Sequence, residues 1–226
     1  MSTMPTARDV VVFAGGDHSF PVRPTLPDAA LVIAADSGLH LAQRLGVEVD
    51  HVVGDLDSVE PDALARARDA GVDVRVYPED KDRTDFAIAV DLAMEHEPER
   101  IIVVGGAGGR LDHLAGVLTV IGAPGLRTTR IVAYMGPATV HVVHDEVVVT
   151  GRPGALVSLI PVNGAATGVT TSGLRFPLEH EDLPSGSSLG VSNEFARSRA
   201  VVRLDAGTLL VIQPGEPETL TTRTQE

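Results

Sequence analysis

The chain has 226 residues, and its 31 acidic against 18 basic side chains leave a net charge of −13. That balance excludes the basic footprint of a nucleic-acid-binding surface, and the absence of cysteine excludes disulfides, thiolate metal sites and cysteine nucleophiles. Met1–Asp9 lacks the apolar core of a signal peptide and no run is long and apolar enough to span a bilayer, so a cytoplasmic protein without membrane or nucleic-acid partners is expected.

In chain order, Val10–Ala14 reads as a strand running into Gly15-Gly16. Leu31–Ala35 is a second strand that runs into Asp36, with a helix near His40–Leu45. His51–Val53 leads into Gly54-Asp55-Leu56-Asp57-Ser58, and Pro61 suits the first turn of a helix reaching about Ala70. Val74–Tyr77 runs into Lys81-Asp82-Arg83-Thr84-Asp85, where Thr84 has the character of an N-cap for a helix through about Met94. Ile101–Val104 runs into Gly105-Gly106-Ala107-Gly108-Gly109-Arg110-Leu111-Asp112-His113, followed by a helix from about Leu111 to Val120 and a strand at Ile131–Tyr134. From near residue 140 the pattern changes to short β-branched runs between turn residues: Val140–Val143, Glu146–Thr150, Ala155–Pro161, Ser187–Val191, Ala200–Leu204 and Thr208–Ile212. The expected fold is α/β: a mostly parallel N-terminal sheet flanked by helices over residues 1–138, then an antiparallel β-sandwich or barrel over residues 139–226.

Parallel strands would gather the acidic turns at one edge of one sheet, where open α/β sheets bind ligands. Asp55 and Asp57, at spacing i, i+2, would project to one side of an extended segment and offer hard oxygen donors to Mg2+; the plainer role is a polar turn capping the next helix. Lys81 and Arg83 are suited to phosphate contact beside the amides of a helix N-terminus, with Asp85 available to a metal; the plainer role is an N-cap with solvated charges. The glycine turn lets backbone amides approach an anion closely, yet it is neither a Walker A loop nor the dinucleotide fingerprint. Arg110 is suited to a forked phosphate contact, and Asp112 to a metal or a substrate group. His113 faces the site or caps the helix. His141 and His144 fall on opposite faces of a strand, which argues against zinc.

Taken together, Ala35-Asp36-Ser37-Gly38, Gly54-Asp55-Leu56-Asp57-Ser58, Asp82-Arg83-Thr84-Asp85 and Gly105–His113 resemble the thiamine pyrophosphokinase family. Ser172-Gly173-Leu174-Arg175-Phe176-Pro177-Leu178 and Ser192-Asn193-Glu194 resemble that family's C-terminal signatures. Many relatives carry glycine where Ser37 stands. The resemblance implies an ATP-binding α/β domain, a thiamine-binding β domain and a homodimer, with thiamine between the α/β domain of one subunit and the β domain of the other. It implies Mg2+ on Asp55, Asp57 and Asp85. Asp36, Lys81, Arg83, Thr84, Gly106, Gly108, Gly109, Arg110 and Asp112 would serve the nucleotide. Phe176, Ser192 and Asn193 would serve thiamine. The implied reaction is attack of thiamine's hydroxyl on the β-phosphorus of ATP, giving thiamine diphosphate and AMP. The alternatives are a pyrophosphokinase for another alcohol, such as a hydroxymethyl pterin, and a nucleotide or thiamine sensor without turnover.

Overall fold

The computed structural model describes residues 9–16, 24–28 and 30–215. Its N-terminal half runs β1 (Asp9–Phe13), β2 (Leu31–Ala35), α1 (Gly38–Arg44), β3 (His51–Gly54), α2 (Pro61–Asp69), β4 (Asp73–Val76), α3 (Asp85–Glu95), β5 (Arg100–Val104), α4 (Leu111–Ile121) and β6 (Arg130–Met135). Strands β6-β5-β1-β2-β3-β4 lie side by side and parallel. The central strands are unbroken apolar runs because both of their faces are covered. Val10, Val12, Ile33, Val53, Ile101 and Val103 meet α3 and α4. Val11, Phe13, Ala34, Val52, Ile102 and Val104 meet α1 and α2. Pro61 opens α2, and the Thr84 hydroxyl accepts from the Ala87 amide at 3.2 Å to cap α3.

The chain after β6 runs β7 (Ala138–Val143), β8 (Glu146–Thr150), β9 (Leu156–Pro161), β10 (Ala166–Ser172), β11 (Glu181–Leu183), β12 (Asn193–Glu194), β13 (Arg199–Arg203) and β14 (Leu209–Gln213). The expectation of antiparallel pairing holds, but the two halves share a sheet. A two-residue loop, Gly136-Pro137, with Gly136 at φ +59°, turns β6 back into antiparallel β7. Strands β7, β14, β9 and β12 then extend the N-terminal sheet, so that ten strands of the described residues form one sheet. A second sheet, β11-β10-β13-β8, packs on that extension around Val157, Leu159, Val169, Phe195, Val202 and Leu209. This is the sandwich.

Two expectations need correction. Ser187–Val191 is a run of turns. Leu159 donates its amide to the Gly190 carbonyl, and a Cβ on Gly190 would meet Leu159 backbone oxygen at 2.6 Å, so the segment crosses β9 backbone to backbone. Strand β10 falls where no strand was expected. Its sequence, Ala-Thr-Gly-Val-Thr-Thr-Ser, is polar and holds Gly168 at φ +62° within a register shift against β11. Among the described residues no helix is long and apolar enough to cross a membrane.

Candidate active site

Strand β1 is flanked by β2 on one side and β5 on the other, so the strand order reverses there while all three strands stay parallel. At that switch point the carboxyl ends of the strands open into a cleft of about 660 Å3, lined among others by Gly15, Asp36, Lys81, Asp85, Gly109 and Arg110.

The acidic turns meet on one flank of it. Asp36, Asp55 and Asp57 each place a carboxylate oxygen within 4.8 Å of the others. They do not converge through the expected alternation of an extended segment. Leu56 lies at φ +64° and Asp36 at φ +46°, so both turns are left-handed, a costly shape that recurs at functional sites. Ser58, for which the sequence suggested no role, links two of the acids. Its hydroxyl lies 2.6 Å from Asp36 Oδ2 and 2.9 Å from Asp57 Oδ1. Gly54 makes the convergence possible. A Cβ there would lie 3.2 Å from Asp36 Cβ and from the Asp85 carboxyl group.

Asp85 stands outside the group of three. Lys81 Nζ sits between it and the cluster, 3.0 Å from Asp55 Oδ2 and 3.1 Å from Asp85 Oδ1. The hydrogen bond from Lys81 holds the Asp55 carboxyl below its usual range, whereas burial pushes Asp85 up. Burial lowers the Lys81 ammonium, but its two carboxylate partners outweigh that and raise it. Asp36 Oδ1 is buried with no hydrogen-bond partner. Three hard oxygen donors with an unsatisfied oxygen fit a small divalent cation; Asp36 stands with Asp55 and Asp57 in that group, and Asp85, whose Oδ1 is also buried without a hydrogen bond, lies across Lys81 from it.

On the opposite flank, Gly105, Gly106, Gly108 and Gly109 all have φ between +77° and +102°. Gly106 lines the cleft and also has a packing role. Its amide is spent on the Gly15 carbonyl at 3.1 Å, and a Cβ there would meet Val117 at 3.1 Å. It is the close contact that brings α4 against the sheet. Gly109 faces open space and stays accessible to a ligand. The Arg110 fork is engaged by Asp112, Nε to Oδ1 at 3.2 Å and Nη2 to Oδ2 at 2.6 Å, which holds Asp112 down to about 2. Arg83 turns outward to Asp91 at 2.9 Å. Ser37 adopts ordinary right-handed geometry, φ −60° and ψ −6°, so the serine carries no backbone strain.

The C-terminal candidates do not line this cleft within one chain. Asn193 is buried and its side-chain amide makes three hydrogen bonds within the chain. Its Oδ1 accepts from the Phe176 and Glu194 amides at 3.1 and 2.8 Å, and Nδ2 donates to the Phe176 carbonyl at 2.7 Å. It fixes the Phe176 turn, with both Oδ1 positions filled and one of the two Nδ2 hydrogens spent within the chain. Phe176 is 56% exposed, with the Arg175 guanidinium 5.3 Å from its ring centre. Ser192, at φ +59°, donates its amide to Ser158 Oγ and leaves its own hydroxyl exposed.

Residues 22–133 match the family model described as thiamin pyrophosphokinase, catalytic domain, and residues 139–209 match thiamin pyrophosphokinase, vitamin B1 binding domain. The chain belongs to the thiamine pyrophosphokinase family. Among thiamine pyrophosphokinases, the Bacillus subtilis protein is 27% identical over 186 residues, spanning 81% of this chain and 86% of its own. Thiamine pyrophosphokinase 1 of Arabidopsis thaliana is 28% identical over 183 residues, 76% of this chain and 68% of its own. The crystal structure of the B. subtilis enzyme superposes with a TM-score of 0.79 at 25% identity over 92% of this chain and all of that one. The Candida albicans enzyme, at 12% identity, shares the fold with a TM-score of 0.72 over 94% of this chain and 95% of its own.

Proposed function

We propose that this chain transfers the pyrophosphoryl group of ATP to the hydroxyl of thiamine, releasing AMP. The observation that carries this reading is the convergence of Asp36, Asp55 and Asp57 on one flank of a cleft whose other flank is a glycine turn leading into a helix N-terminus. That pairing suits a metal-bound polyphosphate. Residues 1–138 form the nucleotide part in this reading, and residues 139–226 the thiamine part.

Mg2+ on Asp36, Asp55 and Asp57 would neutralise charge on the phosphoryl oxygens and polarise the β-phosphorus. The chain's own residues do the rest. Gly108 and Gly109 leave room for phosphate, and the first-turn amides of α4 point their dipoles at it. The Arg110–Asp112 fork presents a fixed guanidinium edge at the mouth of the cleft. Alignment of hydroxyl, phosphorus and leaving group supplies most of the rate, and no covalent intermediate is needed. Because Phe176 and Ser192 lie outside the cleft of their own chain, the thiamine site is completed in this reading by a second copy in a homodimer.

The test is incubation with ATP, Mg2+ and thiamine, resolving nucleotides by chromatography. AMP should appear in step with thiamine diphosphate, and chelation should stop both; ADP as the coproduct overturns the reading. Thermal shifts with thiamine and with pterins separate thiamine from another acceptor alcohol. Asn193→Ala is expected to raise the KM for thiamine while leaving that for ATP unchanged. It also strips partners from the Phe176 and Glu194 backbones, at about 1–3 kcal/mol of stability. An unchanged thiamine KM would deny Asn193 its positioning role.

A further inference from the structure

Lys81 is the only lysine in the chain, which otherwise uses arginine at all seventeen of its permanently basic positions. The exception falls where an arginine would serve worst. A guanidinium is a planar fork that binds paired oxygens, whereas an ammonium is a compact point charge on a flexible four-carbon stem. Lys81 Nζ makes single-point contacts with carboxylates from two different elements, Asp55 after β3 and Asp85 at the start of α3. Its side chain is only 14% exposed, yet its backbone lies in the irregular segment between β4 and α3 and it borders the cleft.

The charge around it is uneven. Among the described residues Lys81 is the cation in contact with this group of four acids, Asp36, Asp55, Asp57 and Asp85, through Asp55 and Asp85, while the Arg83 guanidinium pairs with Asp91. Asp85 Oδ1 is in ion-pair contact without an aligned hydrogen bond, and Asp36 Oδ1 has no partner. The cluster is held by a monovalent cation that leaves it under-neutralised.

We propose that Lys81 is a built-in stand-in for the divalent metal: its ammonium holds Asp55 and Asp85 together in the metal-free protein and gives up Asp55 when the metal enters. This rests on the metal reading above. The displaced ammonium, still tethered beside the cleft, becomes available to the nucleotide's phosphates. Metal loading and the phosphate-side charge are thereby one event. A merely structural ion pair would keep both contacts whether or not metal is bound.

The single lysine makes the test direct. Protein labelled with 13C/15N-lysine gives one lysine side-chain signal, followed while Mg2+ is added alone and again with α,β-methylene-ATP, which lacks the bond to be broken. Metal binding is measured in parallel by calorimetry and by Mn2+ relaxation. The signal is expected to move with the same midpoint as metal binding. Lys81→Met is expected to bind Mg2+ about fivefold or more tightly without nucleotide, because the competing occupant is gone, and to show a larger Mg2+-induced rise in Tm. Metal binding with an unmoved Lys81 signal overturns the inference and leaves the metal reading standing; so does a folded Lys81→Met protein with unchanged or weaker affinity. Absence of metal binding under either condition overturns both. Should Lys81→Met not fold, the labelled wild-type protein decides.

Discussion

Asp57→Asn is expected to lower the rate of AMP formation by about 10²-fold or more, the scale of removing one preorganised electrostatic group from a transition state. The fold should survive. Asp57 is exposed, and its side-chain contact among the described residues is with the Ser58 hydroxyl, shared with Asp36, which asparagine's oxygen can also meet. The backbone bond from the Asp57 amide to Asp55 Oδ1 at 3.3 Å does not involve the altered group. What is lost is one negative donor from the three converging on the cleft flank. Steady-state rates with saturating ATP and thiamine, alongside a melting curve, provide the check. Turnover like that of the unaltered protein would remove Asp57 from the metal set.

Gly38→Ala is expected to lower stability and activity together. Gly38 opens α1 directly after the Asp36 turn, and a Cβ there would lie well inside contact distance of the Phe13 backbone carbonyl. Phe13 is fully buried in the central strand, so neither side can yield cheaply. Overpacking of this kind costs about 1–3 kcal/mol, which lowers the Tm of a chain this size by roughly 2–12 °C. The helix must also lift away from β1, taking Asp36 with it, so activity should fall with stability. A calorimetric melt together with an activity assay tests both. An unaltered Tm would show that the β1–α1 contact is looser than it stands here.

The N-terminal elements were legible because burial on both faces leaves strands such as Val10–Phe13 and Ile101–Val104 no polar positions. The turns between them carry strong local signals, Pro61 and Thr84 foremost. What escaped depended on contacts distant in sequence. Asp36 joins Asp55 and Asp57 across the sheet, while Lys81 bridges Asp55 to Asp85, and no spacing rule gives that arrangement. Gly106 looked like its neighbours in the glycine turn until Val117 came to lie against it. That Asn193 also secures the backbone at Phe176, 17 residues away, was not legible from spacing. Strand β10 was hidden by its polar composition, and the sharing of one sheet by both halves followed from a hairpin whose partner strands a linear reading does not reveal.

That shared sheet has a mechanical consequence. Ladder hydrogen bonds run without interruption from β4 beside the acidic turns to β12 beside Phe176, and Asn163 bolts the far half to the carbonyl of Thr119 on α4 at 2.8 Å. The described residues thus join the two halves through a continuous sheet and not through a linker, which disfavours a jaw-like closure on the substrates. Shielding of the reacting phosphates from water is then expected to come from side chains and loops at the rim of the cleft.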